Sequence, residues 1–327
     1  MYGLVMITGS SLGAGKTTLS ALLYRQLRAH GINAIWLDEE NLEAQLAQFV
    51  PNWHMNTVQP DEFLAACRAL IDDYRTDDSV IITDSGLPGY IDFFGRFPAA
   101  TLEAFNQALY QALQPRNPLL IYLASDVPAA FARAIAQRGQ QWAENIRNYL
   151  NSWQLPFYSS TPKPFATTHD LIDYFAALDQ LARGLVAQWP GPTRMLNATE
   201  AAPNDLLAAL LAEFGLAVLP LADFRGGAPI TDYIGAYERA MDGPAPERLV
   251  LQLVDNRLQL DTYWPAGTVL LAIQEDVFRL ESTDRWLCFE RDSSGRITGL
   301  RYQVLGQQVS YRKITGASRN IDSCRSS

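Results

Sequence analysis

The sequence predicts an α/β protein: a parallel sheet flanked by helices, followed by a small antiparallel, barrel-like β-domain. In the first two-thirds of the chain, short apolar runs without alternation take turns with longer stretches of helical spacing. Strands buried on both faces and their crossover helices produce that pattern. After about residue 224, short alternating runs separated by turn residues take over. Such runs are typical of an antiparallel meander.

The predicted elements of the first part follow from residue spacing. The strands are short runs rich in Val, Ile and Leu, at residues 4–8, 34–37, 79–83, 119–123 and 194–196. The helices repeat apolar residues every three or four positions, at residues 17–30, from the end of the second strand through 49, and at 61–74, 98–113, 127–153, 170–187 and 205–214. Gly139 is a candidate break in the longest of them. Strand–helix alternation implies right-handed crossovers and therefore a parallel sheet.

The β-domain is predicted to follow a linker at residues 225–229, Arg-Gly-Gly-Ala-Pro. Its strands are expected at residues 249–253, 258–262, 269–273, 277–280, 286–289, 298–304 and 309–313. We therefore divide the chain into a first domain at 1–224, a β-domain at 225–316 and a flexible tail at 317–327. Edge strands in so short a sheet invite pairing with a second chain, which is an argument for a homodimer.

Composition limits the partners of this 327-residue chain, whose formal net charge is −9. An acidic protein is poorly suited to nucleic acid or to anionic membranes, so we expect neither as a partner. The apolar first seven residues lack a basic flank, and glycines follow at once, so they predict a buried strand rather than a signal peptide. We expect a cytoplasmic protein that binds a small molecule or a nucleotide.

A phosphate-binding loop is predicted between the first strand and the first helix. Its residues are Gly9, Ser10, Ser11, Leu12, Gly13, Ala14, Gly15, Lys16, Thr17 and Thr18. They follow the pattern Gly-x4-Gly-Lys-[Ser/Thr], except that Ser10 occupies the first glycine position. Loop amides and the helix N-terminus would hold the phosphates of ATP, Lys16 would bridge the β- and γ-phosphates, and Thr17 would place its hydroxyl on Mg²⁺. The alternative is a glycine-rich turn with a chance lysine.

Acidic residues follow the next two strands. Asp84 ends the third strand, where it would support Mg²⁺ or accept a proton, unless it is only a strand-end cap. The second strand ends in Asp38-Glu39-Glu40, at the sheet edge where ligands of parallel sheets bind. Asp38 or Glu39 would act as the general base or bind the acceptor hydroxyl. The alternative is negative charge that stabilises a helix N-terminus.

Two arginines and an aromatic loop complete the predicted site. Arg133 and Arg138 lie on the helix after the fourth strand and would clamp the γ-phosphoryl group as part of a lid. They would otherwise belong to a solvated helix face. The loop after Asp84 supplies candidate substrate-binding residues, namely Tyr90, Asp92, Phe93 and Arg96. The alternative for this loop is core packing.

The region after the fourth strand resembles the lid of the deoxynucleoside kinase and thymidylate kinase group. The matching features are Ile121-Tyr122-Leu123, Arg133, Arg138-Gly139, Glu144-Asn145-Ile146 and Tyr149-Leu150. Gly13 to Thr17 matches the phosphate loop common in that group, and the resemblance covers roughly residues 1–215. It implies a P-loop kinase fold, a base at Asp38 or Glu39, and a segment at 195–199 that flanks adenine. In that group Arg-Ser follows the third-strand acid, whereas Ser85 follows Asp84 directly here; Arg96 is a candidate replacement.

The C-terminal part resembles the small lipocalin-like β-domain appended to some bacterial serine hydrolases. The matching features are Gly235-Ala236-Tyr237, Asp276-Val277-Phe278, Cys288-Phe289-Glu290-Arg291-Asp292 and the run from Ser294 to Leu300. This resemblance implies a fold and no chemistry.

The sequence thus predicts an ATP- and Mg²⁺-dependent kinase that phosphorylates a hydroxyl of a small molecule. The acceptor is a nucleoside or nucleotide if it follows the resemblance. A specialised metabolite, such as an antibiotic, fits the missing arginine. A different class of function is a P-loop ATPase or nucleotide switch that acts on a protein partner through the β-domain.

Overall fold

The structure of the protein is a computed structural model. It describes residues 1–50, 58–74, 78–84, 97–152, 164–199, 201–219, 229–240, 248–254, 257–260, 268–280, 286–304 and 307–314. The chain divides into two compact units, Met1–Pro220 and Leu221–Ser327. No helix within the described ranges is both long and apolar enough to cross a membrane.

A parallel five-stranded sheet forms the centre of the first unit, as the sequence predicts. Its strands are β1 (Leu4–Thr8), β2 (Ala34–Leu37), β3 (Val80–Asp84), β4 (Pro118–Ala124) and β5 (Thr193–Asn197). Their order in the sheet is β2-β3-β1-β4-β5, and every neighbouring pair is parallel. The residues of β1, β3 and β4 are buried throughout, which explains their apolar runs without alternation.

Helices cover this sheet and bury its side chains. In the described part of the chain they are α1 (Lys16–Ala29), α2 (Glu39–Leu46), α3 (Pro60–Asp73), α4 (Ala99–Leu113), α5 (Val127–Arg138), α6 (Gln140–Ser152), α7 (Thr168–Ala187) and α8 (Pro203–Ala212). Gly139 separates α5 from α6, because its φ of 83° and ψ of 162° do not continue a helix. The largest core joins the sheet to α2, α3, α4 and α7.

The second unit contains a closed antiparallel barrel. Its strands are β6 (Gly235–Arg239), β7 (Arg248–Val254), β8 (Arg257–Leu260), β9 (Thr268–Gln274), β10 (Val277–Leu280), β11 (Trp286–Arg291), β12 (Ile297–Val304) and β13 (Gln307–Lys313). Each pairs with two neighbours, and β13–β6 and β9–β10 contacts complete the ring. Closure removes free edges from these strands, so they no longer support the homodimer, which stays a prediction.

One barrel strand, β6, was not predicted as a strand. Its sequence Gly-Ala-Tyr-Glu-Arg contains no β-branched residue and opens with Gly235, whose φ is 145°. Short-range pattern therefore favours a loop at this position. The strand forms because β7 and β13 both pair with it; β7 is the next strand along the chain, whereas β13 is distant from it.

Aromatic and aliphatic side chains fill the barrel. Tyr233 lies in the short 3₁₀ helix Ile230–Tyr233 and is fully buried. Its ring centroid is 4.8 Å from those of Phe278 and Phe289, in edge-to-face contacts. Such contacts add to the stabilisation from burial itself. The barrel interior is thus a packed core around Tyr233.

A half-buried ion pair also joins three parts of the barrel. Arg291 of β11 donates from Nε to Asp276 Oδ2 at 2.7 Å and from Nη2 to Oδ1 at 2.6 Å. Tyr233 donates its hydroxyl to Asp276 Oδ1 at 2.8 Å. Burial alone would raise the pKa of Asp276, but the hydrogen bonds from Arg291 and Tyr233 and the charge of Arg291 hold it below its usual value. The ionised carboxylate is therefore favoured in the folded barrel.

We expect Asp276→Asn to destabilise the barrel by about 2 kcal/mol, because it removes the charge that Arg291 binds. Asn tolerates the left-handed backbone of residue 276, whose φ is 59°, so the backbone is not strained. Because the folded-state pKa is lowered, this stabilisation is present above the unfolded pKa of about 4 and is lost as the pH falls below it. Urea unfolding at pH 7 and at acidic pH measures both effects.

The matched control for this prediction is Glu290→Gln in the same barrel. Glu290 pairs with Arg301 at 3.1 Å, and both side chains are 46% exposed. A surface pair of this kind contributes little. An Asp276→Asn barrel as stable as the control at pH 7 would contradict the role assigned to the half-buried pair of Arg291 and Asp276.

Candidate functional site

The predicted phosphate loop lies at the carboxyl edge of the parallel sheet. Residues 9–15 connect β1 to α1, and β1 lies between β3 and β4. The chain leaves β1 toward β2 on one side of the sheet and leaves β4 toward β5 on the other. The strand order thus reverses between β1 and β4, and such reversals open ligand-binding crevices at the carboxyl ends of strands.

Two loop glycines adopt the left-handed backbone region that other residues avoid. Their φ angles are 82° at Gly13 and 89° at Gly15. Gly15 is the N-cap of α1, and no side chain caps this helix. The first N–H groups of a helix have no partner within the helix, and this end of a helix is suited to an anion.

The loop packs closely on β4 and α5. A Cβ at Gly9 would lie 2.8 Å from the carbonyl oxygen of Leu123, and one at Gly13 would lie 2.8 Å from that of Ala130. Real Cβ atoms do not approach so near to a carbonyl oxygen, so neither position accepts a side chain without movement of the backbone. The close approach to β4 thus occurs at Gly9, one residue before the first glycine of the usual pattern.

Ser10, which departs from that pattern, has a buried side chain. Its Oγ donates to Asp179 Oδ1 of α7 at 2.7 Å and lies 2.9 Å from the Tyr122 hydroxyl of β4. Burial, together with the hydrogen bond to Asp179, raises the pKa of the Tyr122 hydroxyl, which therefore stays protonated at neutral pH. The Ser10 hydroxyl therefore has buried polar partners on β4 and α7. These partners explain why a serine can replace the usual glycine.

Lys16 reaches back over the loop. Its Nζ donates to the carbonyl oxygen of Ser11 at 3.3 Å, and its side chain is half-buried. The amide of Ala14 donates to the same carbonyl at 3.3 Å. Thr17 and Thr18 occupy the first turn of α1, next to Lys16. The ammonium group thus lies beside the loop and the first turn of α1.

Sheet pairing brings the predicted acids to this edge. Asp84 is the last residue of β3 and pairs with Ile7 of β1, just before the loop. Asp38 follows Leu37, whose partner in β3 is Thr83. Parallel strands lie about 4.8 Å apart, so the two acids end neighbouring strands beside the loop. Both are buried, with exposed fractions of 0% for Asp38 and 1% for Asp84.

The two predicted bases differ in their surroundings. The carbonyl oxygen of Asp38 accepts the first hydrogen bond of α2, from Leu42 N at 2.8 Å, so Asp38 is the N-cap of that helix. Glu39 is the first residue of α2 and is exposed. Glu39 therefore occupies the position that the helix-charge alternative requires, whereas Asp38 faces the interior.

The predicted lid helix contacts the loop directly. Besides the carbonyl of Ala130, the Cβ of Ala134 would lie 3.0 Å from a Cβ at Gly13, so α5 packs on the loop. Arg133 lies between these alanines in sequence, on the same helix, and is exposed. Arg138 ends α5, but its side chain is outside the described part.

Further contacts fix the start of α5. Asp126 caps it by accepting from Ala129 N at 2.8 Å, and Thr199 Oγ1 accepts from Asp126 N at 2.8 Å. The segment after β5 is thereby tied to the β4–α5 connection.

The predicted substrate residues Tyr90, Asp92, Phe93 and Arg96 lie outside the described residues and stay predictions.

The sequence reasoning missed Asp179, which the structure places under the loop. A weak signal exists: Asp179 is a carboxylate within the buried face of α7, beside Leu178 and Ala182. A charge on such a face needs a partner, but the sequence does not identify it.

Two buried hydroxyls at this edge, Ser11 Oγ and Ser125 Oγ, have no hydrogen-bond partner in the described part of the chain. Buried groups left so are uncommon and mark functional sites or bound water.

Comparisons with known proteins do not assign a family. No family model matches the chain, and no curated protein sequence matches it. Among solved structures, the chain is similar to the YorR protein of Bacillus subtilis, whose crystal structure is a complex with phosphorylated GDP. The two share 11% sequence identity over 65% of this chain and 96% of YorR, with a TM-score of 0.36.

Proposed function

We propose that this protein is an ATP- and Mg²⁺-dependent phosphotransferase that moves the γ-phosphoryl group to a hydroxyl of a small molecule. The observation that carries the proposal is the loop between β1 and α1. It combines left-handed glycines, an uncapped helix N-terminus and the Lys16 ammonium group at the crevice of a parallel sheet. This arrangement suits the phosphates of a nucleoside triphosphate.

The donor half of the site follows from these groups. The amides of the loop and of the first turn of α1 would hold phosphate oxygens. Lys16 would exchange its hydrogen bond to the Ser11 carbonyl for the β- and γ-phosphates, and its charge would offset the charge that develops on the transferred group.

The residues present also fit a Mg²⁺ ion. Thr17 offers a hydroxyl and Asp84 a carboxylate, and oxygen atoms are the ligands that Mg²⁺ prefers. No group of three His, Cys, Asp or Glu side chains within the described ranges is arranged to hold a metal by itself. Mg²⁺ usually keeps several waters and binds through one or two protein oxygens plus phosphates. When bound, it would neutralise phosphate charge.

The acceptor half rests on the acids that end β2 and β3. Asp38 and Asp84 are buried beside the loop, where one carboxylate would accept the proton of the attacking hydroxyl. Arg133 is carried by α5, the helix that contacts Gly13, and together with Arg138 would neutralise the γ-phosphoryl group. Tyr90, Asp92, Phe93 and Arg96 are assigned to the acceptor from the sequence alone.

The direct test is ATP consumption together with mass spectrometry of the products, against a panel of nucleosides and hydroxylated metabolites, with Mg²⁺ present. A compound that gains one phosphoryl group while ADP forms supports the proposal. Hydrolysis of ATP without a phosphorylated product from any compound would favour the alternative, an ATPase or switch that acts on a protein partner.

Asp38→Asn and Asp84→Asn are each expected to lower the transfer rate to an acceptor about a hundredfold, because both remove a candidate base or metal-supporting group. Glu39→Gln is the matched control, since Glu39 is exposed at the first position of α2. We expect it to keep a rate within about threefold of the parent. Single-turnover transfer, measured alongside nucleotide affinity, separates a loss of chemistry from a loss of binding.

Full transfer by both aspartate variants would remove the acids from the mechanism. A large loss in Glu39→Gln alone would instead move the base from Asp38 to Glu39.

A further inference from the structure

A buried polar network lies beneath the phosphate loop and joins it to two other elements. Ser10 Oγ donates to Asp179 Oδ1 at 2.7 Å, and the Tyr122 hydroxyl donates to the same oxygen at 2.7 Å. The two hydroxyl oxygens are 2.9 Å apart. Exposed fractions are 1% for Ser10, 1% for Tyr122 and 6% for Asp179. The loop is therefore attached through one carboxylate oxygen to both β4 and α7.

The other oxygen of Asp179 is held independently. Arg183, one turn later on α7, donates from Nε to Asp179 Oδ2 at 2.6 Å. Its guanidinium offsets a negative charge that would otherwise stand buried beside a loop suited to anions. Asp179 is thus fixed from one side by Arg183 and fixes Ser10 from the other.

The network accounts for a serine at a position where the usual pattern has glycine. Glycine leaves a loop free to sample many backbone conformations. Here the side chain of Ser10 is bound in the interior, next to the close contact between Gly9 and Leu123. A loop that is already ordered loses less conformational entropy when it binds a ligand, so its affinity is higher.

We propose that Asp179 is a positioning residue for the phosphate loop, which it holds in its binding conformation through the Ser10 hydroxyl, with Tyr122 as a second donor. The inference rests on the proposed function and adds to it residues that touch neither nucleotide nor acceptor. The loop is ordered by hydrogen bonds from outside the usual motif, and we call this Ser10–Asp179–Tyr122 network the tether.

The test compares Ser10→Ala, Tyr122→Phe and Asp179→Asn with the parent in the full-length chain. Calorimetry gives the Kd for MgADP. Ser10→Ala and Asp179→Asn are expected to bind about tenfold more weakly, and Tyr122→Phe less so because Ser10 keeps its own bond to Asp179. Hydrogen exchange at the amides of residues 11–15, without nucleotide, should become faster in the same variants.

The matched control is Asn106→Ala. Asn106 of α4 is also fully buried and donates to α7, from Nδ2 to the carbonyl oxygen of Leu185 at 2.9 Å. Its loss should lower the unfolding temperature as the tether variants do, while MgADP affinity and loop exchange stay at the parent values. A purely structural role for Asp179 would make its variant behave like this control.

A double-mutant cycle decides whether Asp179 acts through Ser10. If it does, Ser10→Ala combined with Asp179→Asn binds MgADP about as weakly as either single variant. Additive losses, or single variants within twofold of the parent, would overturn the inference. A parent chain that does not bind MgADP would overturn the proposed function instead. In that case hydrogen exchange at the loop amides alone tests the tether. Exchange in Ser10→Ala that is as slow as in the parent would refute it.

Discussion

Gly13→Ala should reduce MgATP affinity about three-hundredfold while leaving the chain folded. Alanine at a φ of 82° is strained by about 1–2 kcal/mol, and its Cβ would meet the Ala130 carbonyl at 2.8 Å. Relieving such a clash adds about 1–3 kcal/mol, and each 1.4 kcal/mol is about tenfold in affinity. The loop must therefore leave its present path, and only a small fraction of molecules remain competent to bind.

Alanine variants of two other glycines distinguish the effect of the Cβ clash from that of the backbone strain. Gly31 has a φ of 74° with no atom near its Cβ position, and it follows the opposite end of α1. Gly31→Ala should lose about 1 kcal/mol of stability and no nucleotide affinity. Gly15 has a φ of 89° and is equally open, so Gly15→Ala should weaken binding about tenfold through strain alone. Calorimetric titration with MgATP ranks the three variants, and a Gly13→Ala protein that binds like Gly31→Ala would contradict the close contact with α5.

The sequence was sufficient for the elements whose signals are local. Buried parallel strands show as continuous apolar runs, as in β1 and β4. The conformation of the predicted phosphate loop also has a local signal, because its glycines stand where the structure has left-handed backbone or close contacts. The break at Gly139 follows from one residue that ends a helix. In each case the residue that decides the structure lies within the segment itself.

Features that depend on distant partners were not predictable in this way. The strand order that puts Asp38 beside Asp84 joins β2 and β3 across more than forty residues. Strand β6 pairs on one side with β13, the last strand of the barrel, although its own residues do not favour a strand. Asp179 and Ser10 are 169 residues apart, and no pattern in either segment indicates that the two side chains are hydrogen-bonded. The tether to the loop is therefore visible only in the fold.

Lys16→Met should lower the turnover of MgATP about a thousandfold, whichever acceptor is used. The Lys16 ammonium already lies beside the loop, 3.3 Å from the Ser11 carbonyl. Within residues 9–18 it is the one positively charged side chain. Removing one preorganised donor from developing charge costs about 10²–10³ in rate, and a charged donor lies at the upper end of that range. Arg28→Met is the matched control. Arg28 is an exposed cation on the last turn of the same helix, bonded to Asn33 Oδ1, and its loss should leave turnover unchanged.

Lys16→Arg tests whether charge alone is enough. Arginine keeps the positive charge but presents a planar, bulkier group than the compact ammonium of lysine. The loop is packed against β4 at Gly9 and against α5 at Gly13, so it has little room to adjust around a larger head group. We expect Lys16→Arg to remain at least about tenfold slower than the parent, measured as turnover of MgATP. Full activity in Lys16→Arg would mean that the site needs only a positive charge there. Full activity in Lys16→Met would mean that this loop does not hold the reacting phosphates, because no other group on the loop carries a positive charge.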